Sequence, residues 1–166
     1  MKKADIYSLL VIPETAQYLL TLEEEAGTRL IPIWIGPSEG MAVSAALRKE
    51  YFPRPLTHDL ICNTIREMNA SLKKITVTDL VDGVFYASMT IGRGKKEYVV
   101  DARPSDAIAI ALRAQAPIFI DDKVFEKCPV IDKPISTDEM EAFKKRLKTL
   151  KPEDFFQEKT SNGRMD

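Results

Sequence analysis

Only one histidine, His58, occurs in the 166 residues, so no site within one chain can rest on two imidazoles. The two cysteines, Cys62 and Cys128, lack CxxC spacing, which argues against a disulfide framework and against a structural zinc site. Neither sign of charge prevails: 24 Lys and Arg stand against 25 Asp and Glu, a formal net charge of -1. That excludes a globally basic surface, one common route to nucleic-acid binding. A polyanion would have to be met by a local patch or through bound metal ions. No apolar run approaches the roughly 20 residues of a membrane span. Near the N-terminus Lys2 and Lys3 are followed by Asp5, and the apolar run over residues 9–12 is cut by Pro13. A signal peptide needs a longer uninterrupted core. The expectation is a cytoplasmic chain with reduced thiols and no membrane partner.

What is present is ordinary for a globular domain, with 45% hydrophobic and 30% charged residues, enough for a real core. Residues 6–12, 18–22 and 29–35 read as consecutive antiparallel strands, joined by Pro13-Glu14-Thr15 and by the polar residues 23–27. At Gly36-Pro37 the period changes. Proline at the first helical position and Glu39 shortly after it predict a helix to about Lys49. Its small residues Ala42, Ser44, Ala45 and Ala46 suit close packing. After the loop Phe52-Pro53-Arg54-Pro55, a second helix starts at Thr57 or His58, with Leu60, Ile61, Ile65, Met68 and Leu72 on one side.

Residues 74–80, 84–91 and 97–100 read as three further strands. Asp82-Gly83 is a two-residue hairpin signal, and residues 92–96 form a second, basic turn. A third helix starts at Pro104 and stops before Pro117; residues 118–120 make a short strand and 121–127 a brief helical turn. Past Val130 the character shifts. Ser136-Thr137-Asp138-Glu139 has capping-box spacing, and Met140, Phe143, Leu147 and Leu150 form an apolar stripe. These features predict a domain over residues 1–131, then a C-terminal amphipathic helix and a disordered polar tail over 132–166.

Two strand-to-helix junctions echo each other: Ile35-Gly36-Pro37-Ser38-Glu39 and Ala102-Arg103-Pro104-Ser105-Asp106. Either this is simply how helices start, or it marks an internal duplication. Helix N-termini attract anions, but Glu39 and Asp106 already put negative charge there. A phosphate arriving at those ends would need a cation between, which is a reason to consider metal.

Two polar clusters can carry chemistry. Arg54-Pro55-Leu56-Thr57-His58-Asp59 sets a guanidinium, the single imidazole and a carboxylate at a rigid loop entering a helix. Its bland reading is a helix cap. Its functional reading makes His58 a general acid or base, Asp59 its orienting partner, and Arg54 a phosphate clamp. The second cluster is Asp101-Ala102-Arg103-Pro104-Ser105-Asp106. It offers either an Asp–Arg pair bracing a turn or two carboxylates for a hard cation.

The segments Ile31-Pro32-Ile33-Trp34-Ile35-Gly36, Phe52-Pro53-Arg54-Pro55-Leu56-Thr57-His58-Asp59, Asp101-Ala102-Arg103-Pro104-Ser105-Asp106-Ala107 and Ala116-Pro117-Ile118-Phe119, in this order, resemble the bifunctional nuclease domain family. The resemblance covers about residues 1–131. It implies an α+β fold with a mixed, largely antiparallel sheet, a homo-oligomer, and hydrolysis of both DNA and RNA. The candidate site consists of polar residues inside these motifs, with Glu39 added from the echoed junction. His58, Asp59, Asp101 and Asp106 are the catalytic candidates, and Arg54, Arg103 and Ser105 would hold phosphate. Asp101, Asp106 and Glu39 would hold a divalent metal, magnesium, that polarises the phosphoryl group and activates water. The alternatives are a non-catalytic oligomeric scaffold and a small-ligand-binding protein.

Overall fold

Short, largely apolar runs in the first third build an antiparallel meander of β1 (Lys2–Ile12), β2 (Gln17–Glu24) and β3 (Arg29–Ile35). In the computed structural model, residues 1–25, 27, 29–128, 131–132 and 137–149 are described. Helices α1 (Pro37–Leu47) and α2 (Thr57–Glu67) follow, then a second meander of β4 (Ser71–Val81), β5 (Val84–Arg93) and β6 (Lys96–Ala102). The remaining elements are α3 (Pro104–Ala114), β7 (Ile118–Ile120), α4 (Asp122–Lys127), β8 (Ile131–Asp132) and α5 (Thr137–Thr149). The fold is α+β, with one 8-stranded sheet in the order β6-β5-β4-β7-β1-β2-β3-β8.

That order makes the internal echo structural. Each meander ends in a strand that passes into a helix with proline in its first turn, β3 into α1 and β6 into α3. The two meanders lie back to back around β7, which pairs antiparallel with β1 and parallel with β4. The hairpin at Asp82-Gly83 has positive φ at both residues, 49° and 78°, as a type I′ turn requires.

Three sequence expectations change. The second helix stops at Glu67, because Met68 is its C-cap and Asn69 adopts a left-handed φ of 54°. Leu72, expected on that helix, therefore lies in β4. The second hairpin turn is shorter than residues 92–96, since β5 continues to Arg93 and β6 begins at Lys96. Finally, β8, which sequence reading missed, hydrogen-bonds to β3 through Arg29↔Asp132 and Leu30↔Ile131. The tail beyond residue 150, together with Ser136 and Leu150, lies outside the described residues.

The main core gathers Leu20, Leu22, Ile31, Ile75, Ile108 and Ile110, all at most 1% exposed, with Val43 of α1. Glycine is required in α1: a Cβ on Gly40 would clash with Cγ and Cδ2 of the Tyr18 ring and stand 2.8 Å from the Tyr18 Cβ. The small residue lets α1 lie flat on β2. A smaller apolar cluster pairs Leu19 and Ile12 with Trp34, Ile131 and Phe143 of α5. Since neighbouring residues in a strand point to opposite faces, the complete burial of both Leu19 and Leu20 means that β2 is covered on both sides. Among the described residues no helix is long and apolar enough to cross a membrane.

Candidate functional site

The first turns of α1, α2 and α3 meet. Helix α3 is central, since Arg103 is its N-cap and Asp106 lies in its first turn. Helices α2 and α3 run side by side in the same direction: His58 contacts Asp106 and the Cys62 thiol reaches the Ile110 carbonyl, at the same sequence offset of 48. Glu39, in the first turn of α1, accepts an ion pair from Arg103 NH1 at 2.9 Å. Proline in the first turn of α1 and of α3 fixes where these helices begin, and hence where their acids stand.

Four ionisable side chains thus form one continuous chain of contacts. Arg103 Nε donates to Asp106 Oδ2 at 2.7 Å, while Arg103 NH1 holds Glu39. The other oxygen of Asp106 lies 3.0 Å from His58 Nε2. Burial pushes the Asp106 carboxyl up, but the hydrogen bonds from Arg103 and His58 outweigh that effect and hold it below the usual carboxylate range. Asp106 is therefore ionised at neutral pH and accepts from His58. The His58 ring is nearly enclosed, at 12% exposure, whereas Arg103 reaches into solvent at 66%.

A second anchor lies beside the first. Asp59 accepts from Arg113 Nε at 2.6 Å and from the Leu56 backbone N–H at 2.9 Å. Arg113, 11% exposed, also donates from NH1 to the carbonyls of Ala42 in α1 and Ala109 in α3, at 3.1 and 2.9 Å. One guanidinium therefore ties together all three helices. Burial raises the Asp59 carboxyl, and the bonds from Arg113 and Leu56 overcome it, leaving a lowered pKa. Sequence reading missed Arg113. Its only local signal was a basic residue in the last turn of a helix, which the helix dipole explains equally well.

Of the sequence-derived candidates, Glu39, His58, Arg103 and Asp106 come together. Asp59 adjoins them but is bound to Arg113 instead of orienting His58. Ser105 is buried, at 6% exposure, so its hydroxyl is poorly placed to meet a phosphate from solvent. Arg54 lies exposed in the loop before α2, and Asp101 lies exposed on β6 opposite Ser88; neither side chain has an ion pair or hydrogen bond among the described residues. The Asp–Arg brace does exist, but within α3, between Arg103 and Asp106. Among the described residues no three of His, Cys, Asp and Glu are grouped to hold a metal ion. Asp101 is not joined to the other two proposed ligands, and both oxygens of Asp106 already have protein partners. In this arrangement Glu39, Asp101 and Asp106 do not fit as a metal set.

Comparisons with known proteins place this geometry in context. A family model described as the bifunctional nuclease domain matches residues 20–133, a span that includes every residue of the junction. A protein of Mycobacterium tuberculosis, described as uncharacterized, is 40% identical over 148 residues, covering 84% of this chain and 88% of that protein. Bifunctional nuclease 1 of Oryza sativa subsp. indica is 27% identical over 104 residues, 61% of this chain and 31% of that protein. Bifunctional nuclease 2 of Oryza sativa subsp. japonica is 30% identical over 114 residues, 66% of this chain and 35% of that protein. The matched part thus spans about a third of each plant relative's length.

Proposed function

Because the chain belongs to the bifunctional nuclease domain family, we propose that it hydrolyses phosphodiester bonds of DNA and RNA, with little sequence preference, where its three helix first turns meet. The observation that carries this reading is the contact chain Glu39–Arg103–Asp106–His58, drawn from three separate segments. Ionised Asp106 accepts the Nε2–H of His58. That tautomer leaves a lone pair on Nδ1, which takes a proton from the attacking water and returns it to the leaving oxygen. Arg103 presents its second terminal nitrogen to a phosphate oxygen and offsets the charge that grows there in the transition state. Arg54 is a second phosphate contact.

None of these groups reads a base edge, and none distinguishes ribose from deoxyribose, so both polymers fit the same chemistry. Two carboxylates share one guanidinium at the junction, so binding is weak and salt-sensitive. Cys62 and Cys128 are not in a disulfide among the described residues, which accords with the reducing, cytoplasmic setting proposed here.

One observation favours a second reading, a non-catalytic module. Each carboxylate here faces an arginine: Glu39 and Asp106 face Arg103, and Asp59 faces Arg113. Such pairs brace helices whether or not chemistry occurs. The two readings separate when wild type and His58→Ala, purified identically, are incubated with single-stranded DNA and RNA in magnesium and in EDTA. Wild type is expected to cut both polymers, with His58→Ala slower by about a thousandfold or more. Equal rates from the two preparations would refute cleavage at this site. Loss of wild-type cleavage in EDTA would assign a cation requirement that the paired carboxylates do not explain.

A further inference from the structure

We propose that the loop between α1 and α2 binds a single-stranded nucleic acid: the rings of Tyr51 and Phe52 stack on its bases, and Lys49 and Arg54 hold its phosphates on either side. The inference names the form of substrate that reaches the helix junction, and for that choice it rests on the nuclease reading. Every residue from Leu47 to Thr57 is exposed. Tyr51, at 95%, is the most exposed of the large apolar side chains among the described residues, and Phe52 beside it is 47% exposed. Neither ring belongs to either apolar cluster. Single exposed apolar residues are normal, but here two adjacent rings stand in water between cations.

The charges around the rings indicate which occupant fits. Glu50, the one acid between α1 and α2, is held by Arg48 Nε at 3.0 Å. The side chains of Lys49 and Arg54 have no ion pair or hydrogen bond among the described residues. They flank the rings, two positions before Tyr51 and two after Phe52. Rings set between two unanswered cations match a chain of alternating bases and phosphates. A second copy meeting this loop with its own would set cation against cation. A duplex hides the base faces that stacking needs, so the loop selects single strands while leaving their sequence unread.

The loop also leads to the junction. Pro53 and Pro55 fix their own φ and restrict Phe52 and Arg54 before them, so less freedom is lost on binding. Its far end is pinned: the Leu56 N–H donates to Asp59 Oδ2 at 2.9 Å, and Asp59 is held by Arg113. His58 follows Phe52 by six positions, a reach of about 22 Å at most. A strand in helical geometry advances about 3.4 Å per nucleotide. The stacked bases therefore lie within about six nucleotides of the phosphate at His58.

Binding of an end-labelled oligothymidylate of about twelve nucleotides, followed by fluorescence anisotropy on the full chain carrying His58→Ala, tests the loop apart from cleavage. Tyr51→Ala and Phe52→Ala are each expected to weaken binding about tenfold with an unchanged circular dichroism spectrum, whereas Tyr51→Phe, which keeps the ring, retains it. Lys49→Gln and Arg54→Gln should each flatten the dependence of log affinity on log salt by about 0.7. The same strand annealed to its complement should bind about tenfold more weakly. Affinity indifferent to the loss of either ring, salt slopes unchanged in both glutamine variants, or equal binding of the duplex would overturn the inference. Sedimentation showing that Tyr51→Ala breaks an assembly of copies while the oligonucleotide stays bound would overturn it too. A chain that binds through the rings but cuts neither polymer fails the nuclease reading alone; one that cuts while the ring variants bind undiminished fails the loop alone.

Discussion

Asp106→Asn is expected to slow cleavage of DNA and RNA on the order of a thousandfold while moving the melting temperature by only a few degrees. The amide has the carboxylate's shape. Its oxygen can still accept from Arg103 Nε, the bond now made by Asp106 Oδ2 at 2.7 Å. Its NH2 group, however, would donate to His58 Nε2 in place of accepting from it. The ring proton then moves to Nδ1, and the nitrogen assigned to take a proton from water has no lone pair to accept it with. The structural loss is small, because a partly exposed ion pair contributes about 1 kcal/mol or less. Initial rates on labelled oligonucleotides, with a thermal melt on the same preparation, measure both quantities. A variant that melts much lower yet cuts at an undiminished rate per folded molecule would turn the junction into a brace.

The largest loss of stability should come from Arg113, which sequence reading did not single out. Arg113→Leu is expected to destabilise the fold by about 3 kcal/mol, a fall in melting temperature of about 10 °C for a chain of this size. Leucine fills much of the space but leaves Asp59 without its guanidinium. It also removes the donor shared by the carbonyls of Ala42 and Ala109. The effect has a definite pH signature. The pKa of Asp59 is lower in the folded chain than its ordinary value, so the stabilisation is complete above the ordinary carboxylate range. It disappears as pH falls through the lowered value. The gap between wild-type and Arg113→Leu melting temperatures should therefore be wide at neutral pH and narrow in strong acid. A gap that stays constant across that range would remove the ion pair from the explanation.

Much of the fold was readable because its signals are local. Strand β3 and strand β7 fall where their apolar runs begin and end, at Arg29–Ile35 and Ile118–Ile120. Prolines 37 and 104 fix the starts of α1 and α3. The reading failed where a periodic position straddled two elements: Leu72 continues the apolar spacing of α2, yet the chain has already turned at Asn69 through a left-handed residue that is neither glycine nor proline. The strand order was not readable. Inserting β7 between the two meanders depends on contacts such as Ile75↔Ile118, which no local pattern encodes.

The site divides the same way. The sequence marked Glu39, His58, Arg103 and Asp106 because each stands at the start of a helix, where polar residues are conspicuous. That Arg103 would take both acids, and that Asp59 would turn to Arg113 54 positions away, follows from packing three helices side by side. Asp101 looked equivalent to Asp106 in the sequence. They differ because one lies on an edge strand and the other in the first turn of a packed helix.

The central claim is that a phosphodiester seats against Arg103 beside His58. The most direct measurement is a titration of the isotope-labelled full chain with a dinucleotide phosphodiester, followed through the Arg103 Nε and His58 ring resonances. The account predicts saturable shifts of both signals and of the backbone amides of Ser105 and Asp106, all abolished in Arg103→Ala. Resonances at the junction that stay still while others elsewhere on the molecule move would contradict it.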